Sequence, residues 1–176
     1  MLLDAKISTL LVIDIQENLM PAVFGSGEIQ ENVKRLLEAA RLMHVSCSVT
    51  EQYPNGLGHT VEDLDLSGCK VIEKTSFNAC GAMELPDIIP GTNAVVVCGA
   101  EAHVCVLQTV FGLMARGYEV YVVADAIGSR TKANKAAAIS RMEKGGAHIV
   151  STEMVLFEWL GDSNHPKFGE VLKLIK

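Results

Sequence analysis

The sequence predicts one doubly wound α/β domain, a parallel sheet covered by helices on both faces. Three observations predict it. Six short apolar runs recur along the chain, and most are continuous rather than alternating in polarity. Strands read this way when both of their faces are buried. Between the runs lie stretches with apolar residues at helical spacing. The length, 176 residues with 49% hydrophobic and 20% charged, suits one core of ordinary size.

The elements follow in order. STLLVID (8–14) is the first strand. Ile29, Val33, Leu36, Leu37, Ala40 and Met43 then form one apolar stripe, the buried side of a helix. VSCSVTEQ (45–52) is the second strand, and the polar, glycine-bearing segment 53–68 is a loop. CKVIEK (69–74) is a shorter third strand, followed by a loop-like segment, 75–92. NAVVVCG (93–99) is the fourth strand. Val104, Leu107, Phe111 and Met114 mark the next helix, and Gly117 ends it. YEVYVVAD (118–125) is the fifth strand, and an Ala-rich helix over 131–144 ends at Gly145-Gly146. AHIVST (147–152) is the sixth strand. Two short helices close the chain, 152–160 and 166–175, the second opening at Pro166. No repeat, low-complexity segment or linker divides residues 1–176, so one domain is expected.

Composition excludes several classes. The net charge is −6 and no Lys/Arg cluster stands out, so nucleic acid and anionic membranes are not expected partners. No apolar stretch approaches the ~20 residues of a membrane span. The N-terminus carries Asp4 and lacks a basic, cleavable leader. The five cysteines are odd in number and lack CxxC or zinc-type spacing. Free thiols in a reducing cytoplasm fit this pattern.

In a doubly wound sheet, ligands bind beyond the carboxyl ends of the strands, where strand order reverses. Strand one ends in Asp14, followed by Gln16. Strand two ends in Glu51, Gln52 and Tyr53, and strand three in Lys74. Strand four leads into Glu101, His103 and Cys105, and strand five ends in Asp125. An acid, a lysine and a cysteine converging on one edge suggest a nucleophile with a base and a cationic partner. Cys105 falls in the first turn of a helix, where the dipole and Lys74 would favour a thiolate. Asp14 would oppose the thiolate unless it accepts the thiol proton. Each residue also has a plainer role: Cys105 as a small buried hydrophobe, Asp14 as a cap, Lys74 as a solvated strand end, His103 as local packing. Glu51 and Asp125 read as capping or ion-pair residues. Cys47, Cys69, Cys80 and Cys98 read as core or incidental thiols.

Four segments resemble the isochorismatase-like hydrolases, the cysteine hydrolase superfamily. They are LLVIDIQENLMP, KTSFNAC, CGAEAHVCVLQT and VVADAIGSR. Together with TEQYPNGLGHT they are most similar to the branch of small isochorismatase-domain-containing proteins. The resemblance runs from residue 8 to about 170. It implies a three-layer, Rossmann-like fold with a six-stranded parallel sheet of order 3-2-1-4-5-6. It implies an Asp14-Lys74-Cys105 catalytic triad. It also implies a non-proline cis peptide at Ala100-Glu101, which would aim the Glu101 N–H at the point reached by the Cys105 N–H. Those two donors would form an oxyanion hole. Gln16, Tyr53, Phe77 and His103 are expected to line the substrate pocket, and self-association into a homo-oligomer is expected.

Two departures narrow the chemistry. The zinc-dependent nicotinamidases of the superfamily carry Asp-x-His and a further His after strand two, whereas TEQYPNGLGHT holds only His59. No metal and no other cofactor is therefore expected. The vinyl-ether-cleaving isochorismatases lack the cysteine that this chain has. Hydrolysis of a small amide or related C–N bond, through a thioester, is the expectation. The family's usual Thr shortly before the cysteine is replaced by Ala102. Two rival readings stand beside it: a non-enzymatic assembly or partner-binding module, and a redox sensor built on Cys105. Against the second, no resolving cysteine is evident, since Cys98 falls inside strand four.

Overall fold

In a computed structural model, which describes residues 2–82 and 93–176, each expected apolar run forms a strand. These are β1 (Ser8–Ile13), β2 (Ser46–Gln52), β3 (Cys69–Lys74), β4 (Ala94–Ala100), β5 (Glu119–Gly128) and β6 (His148–Val150). All pair in parallel, in the order β3-β2-β1-β4-β5-β6. Strand order reverses between β1 and β4, so the ligand-binding edge lies beyond their carboxyl ends.

The continuous runs are explained by burial on both faces. Every residue of β1 and β4 is buried. Leu10 and Val12 of β1 point to one face, where they pack with Ile29, Val33 and Leu36 of α1 (Ser26–Leu42). Leu11 and Ile13 point to the other, against Val110 and Leu113 of α2 (Leu107–Met114) and Met142 of α3 (Lys132–Lys144). The period of two thus feeds two cores from one run. Each such side chain contributes ~1.5–3 kcal/mol on burial. Two further helices among the described residues are α4 (Thr152–Leu160) and α5 (Phe168–Leu172).

Several boundaries differ from expectation. The sixth strand stops at Val150, because the Ser151 side chain accepts from the Met154 N–H and opens α4. The last helix begins at Phe168 rather than Pro166; Pro166 sits in a turn closed by the Phe168 N–H donating to the His165 carbonyl at 2.9 Å. β5 runs three residues further than expected, to Gly128, across a register shift in its pairing with β4 between Val97 and Gly99. The loop 53–68 holds a single helical turn, Pro54–Leu57. The later part of the expected loop 75–92, from residue 83, lies outside the described residues. Among the described residues, no helix is long and apolar enough to cross a membrane.

One glycine sets how closely the two central strands approach. Gly99 has φ +122°, and a Cβ built on it would lie 2.0 Å from the Ile13 carbonyl oxygen. Only a residue without a side chain fits there.

Candidate active site

Asp14 follows directly on β1 and leaves the strand with φ +51°. Asp tolerates this left-handed conformation better than most residues. Its N–H donates to the Thr50 carbonyl at 3.1 Å. The turn drives the carboxylate inward, where the residue is fully buried. Lys74 Nζ donates to Asp14 Oδ2 at 2.7 Å, and Thr50 Oγ1 donates to Oδ1 at 2.6 Å. A second bond from Lys74 Nζ, at 2.7 Å, reaches Gln52 Oε1. Parallel pairing of Gln52 with Lys74 brings these two strand ends side by side. A buried charge is costly unless paired and hydrogen-bonded, and here both oxygens of the acid are satisfied.

Cys105 comes from the other side of the switch point. β4 ends at Ala100, the Ala100–Glu101 peptide is cis, and residues Ala102–Val106 form a π-helical turn before α2. The Val106 N–H donates to the Glu101 carbonyl at 3.2 Å and closes that wide turn. Wide turns of this kind are frequent at functional sites. Cys105 is only 6% exposed, and its thiol interacts with both Asp14 and Lys74. Burial first, and the Asp14 charge second, push the thiol up to about 12, while Lys74 pulls the other way. The thiol is thus protonated at neutral pH. Desolvation and Asp14 together outweigh the pull of Lys74, and Asp14 opposes the thiolate as the sequence reading expected of an ionised neighbour.

The other expected residues take varied positions. Glu101 accepts from Arg130 Nε at 2.9 Å. His103 Nδ1 lies 2.9 Å from Ser129 Oγ, and its Nε2 lies 3.4 Å from Asn134 Nδ2, which matches a packing role. Gln16 is fully buried. Its Nε2 donates to the Gly58 and Gln52 carbonyls, and its Oε1 accepts from the Gln52 N–H, so it ties the segment after β1 to the end of β2. Tyr53 and Phe77 are exposed. Tyr53, Glu73, Lys74, Thr75, Ser76 and Gly81 line an open cleft of about 650 Å³. A separate cleft of about 490 Å³ opens beside β5, against Phe24, Ile29, Asp125 and Lys135, and no member of the expected triad lines it.

Thr50 and Gln52 hold Asp14 and Lys74 in place, and the sequence reading assigned neither a role. The available signal was a threonine at an inner position of β2, a polar group that must find a partner when buried. Glu51 and Asp125, read from sequence as capping or ion-pair residues, both have hydrogen-bond partners. Glu51 accepts from the Thr60 N–H and hydroxyl and lies 3.0 Å from His59 Nδ1, while Asp125 accepts from the Thr152 N–H and hydroxyl. Burial pushes the Glu51 carboxyl up, but these partners outweigh it and hold it below the usual range. Among the described residues, no three His, Cys, Asp or Glu converge to hold a metal.

The isochorismatase domain model matches residues 8–154. The chain belongs to the isochorismatase family. An isochorismatase domain-containing protein 1 from Salmo salar is 40% identical over 170 residues, covering 93% of this chain. The chain spans 59% of that relative's length. Among solved structures, the MAR1 ribonuclease of Caenorhabditis elegans is 38% identical with a TM-score of 0.94, covering 99% of this chain and 92% of its own. YcaC from Pseudomonas aeruginosa, solved with hexane-2,5-diol and covalent acrylamide, is 25% identical with a TM-score of 0.90, covering 98% and 91%. The strand order of this chain, 3-2-1-4-5-6, is the one the family resemblance led us to expect.

Proposed function

We propose that this isochorismatase-family chain is a metal-independent cysteine hydrolase that cleaves a small amide or related C–N bond. One observation carries the reading: the nearly buried Cys105 thiol lies within electrostatic reach of Asp14, whose carboxylate is itself held by Lys74 and Thr50. A thiol that does not ionise alone needs a base at the moment of attack. Asp14 takes the proton as the sulfur bonds to the carbonyl carbon. The N–H groups of Glu101 and Cys105 receive the oxyanion. The C–N bond breaks, and Asp14 returns the proton to the leaving amine. Water, deprotonated by Asp14, then cleaves the thioester and frees the acid. Lys74 keeps the carboxylate in place and balances its charge. Gln16 and His103 support the pocket from behind, and Tyr53 and Phe77 stand at its mouth.

The covalent acrylamide in the P. aeruginosa relative supports a reactive group in this fold, since acrylamide is an electrophile that thiols capture. The ribonuclease name of the C. elegans relative finds little physical support here, because a net charge of −6 repels a phosphate backbone. A panel of small amides, assayed for amine release after dialysis against EDTA, tests the reading, with an RNA oligomer in the same panel. Amine release that disappears in Cys105→Ala is expected. RNA cleavage, turnover by Cys105→Ala, or loss of turnover restored by zinc would each overturn it. We also propose a homo-oligomer in the cytoplasm, a compartment that suits five unbridged cysteines; sedimentation reads the first and cell fractionation the second.

A further inference from the structure

The sequence reading treated Cys47 and Cys69 as core or incidental thiols. The sheet places them together. Cys47 is the second residue of β2 and Cys69 the first of β3, and they are direct partners in the parallel ladder. Neighbouring strands lie about 4.7–4.9 Å apart, inside the Cα separation of about 4.4–6.8 Å that a disulfide spans. Directly paired residues project to the same face, here the one covered by α1, and both cysteines pack at the margin of that core. Both are half-buried and neither is in a disulfide. They line one cleft of about 300 Å³, with Arg41, His44 and Asp65 around its rim. This cleft is at the amino end of the strands, the edge opposite Asp14 and Lys74.

We propose that Cys47 and Cys69 form a second thiol site, a dithiol that exchanges with small-molecule disulfides and closes into a β2–β3 crosslink. The two positions have different roles. The Cys69 thiol is lowered chiefly by its Cys47 neighbour, and the Cys47 thiol is raised by Cys69 and by burial. Cys69, on the edge strand β3, is the attacking group, and Cys47, one strand further in on β2, is the resolving one. The Cys69 thiolate bonds to one sulfur of the disulfide, whose S–S bond breaks and releases a thiolate. Cys47 passes its proton to that thiolate and attacks Cys69 Sγ, and the second small thiolate leaves. The protein loses two electrons and one disulfide becomes two thiols. Cys98 and Cys105 belong to β4 and the turn after it, so neither shares this cleft.

The full chain, incubated with graded ratios of oxidised to reduced glutathione, quenched with N-ethylmaleimide and mapped by peptide mass, tests the proposal. Expected is one Cys47–Cys69 peptide pair lighter by two hydrogens. Cys47→Ser should hold a glutathione adduct on Cys69 that does not resolve. Cys69→Ser should form no crosslink and should take up glutathione at Cys47 about tenfold more slowly than Cys47→Ser does at Cys69, since Cys47 lies on the inner strand. Cys105→Ala should form the same crosslink, which separates this site from the proposed hydrolase. Persistent maleimide on both thiols at every ratio, or closure with a different cysteine, overturns the proposal. If a serine variant fails to fold, the wild-type map alone decides.

Discussion

Lys74 Nζ and Asp14 Oδ2 meet at 2.7 Å with both side chains fully shielded from water. The two residues stand sixty positions apart, at the ends of strands separated by β2. Neither can be removed without leaving the other charge buried. Asp14→Asn and Lys74→Met should each lower stability by ~3–5 kcal/mol, measured by denaturant titration. Unchanged midpoints would show that water reaches the pair.

Asp14→Asn should harm turnover more than Lys74→Arg. Asn keeps the size but accepts no proton, and loss of a general base costs ~10²–10⁴ in rate. Arg keeps the charge but not the compact ammonium, so some damage is still expected. Comparable rates for the two variants would leave Asp14 with a structural role only.

The pH response of Cys105 has a definite sign. Burial and then Asp14 raise the thiol to about 12, and Lys74 lowers it. Alkylation of Cys105 by iodoacetamide should rise steadily with pH and show no plateau near 9. In Asp14→Asn the curve should move to lower pH while turnover falls, and in Lys74→Met it should move to higher pH. A wild-type plateau between pH 7 and 9 would contradict the burial described here.

The same shift bears on stability. The folded thiol has a raised pKa, so its contribution is complete below the unfolded value near 9.0 and is lost as pH rises toward about 12. Burial raises Cys98 in the same direction. Thermal midpoints should fall across this alkaline window, and Cys98→Ala should fall less steeply than the parent chain. Equal slopes would remove Cys98 from the account.

Thr50→Val keeps shape and removes the 2.6 Å bond to Asp14 Oδ1. A buried acceptor left without its donor costs ~1–3 kcal/mol. The melting point should drop, and turnover should drop with it, because the carboxylate loses one of its two anchors. A melting point that drops while turnover holds would confine Thr50 to stability.

Much of this was legible from sequence for a physical reason. β1 and β4 are buried at every position, so their runs are apolar without interruption. The strand ends then expose Asp14, Lys74 and Cys105 as polar or nucleophilic residues out of place. Thr50 and Gln52 were not assigned because their role depends on the neighbouring strand: only the pairing of β2 with β1 and β3 aims them at Asp14 and Lys74. The thiol's raised pKa escaped notice as well. A helix terminus and a lysine are visible in sequence, whereas the water excluded around Cys105 is not. For the same reason the Cys47–Cys69 pairing, which is set by register, could not be read from two cysteines twenty-two residues apart.

Among the described residues, β3 is the outermost strand on its side of the sheet and pairs with β2 alone, and most of its residues are at least partly exposed. Its last residue is Lys74. The cation of the site therefore rides on the strand with the fewest neighbours to hold it. Local opening of such an edge requires less free energy than global unfolding. Amide protons of β3 should exchange with deuterium well before those of β1 and β4. In mild denaturant the lysine would leave Asp14 while the rest of the sheet stays folded. Loss of activity should then precede loss of helical ellipticity, so the catalytic edge and the scaffold would have separate melting curves.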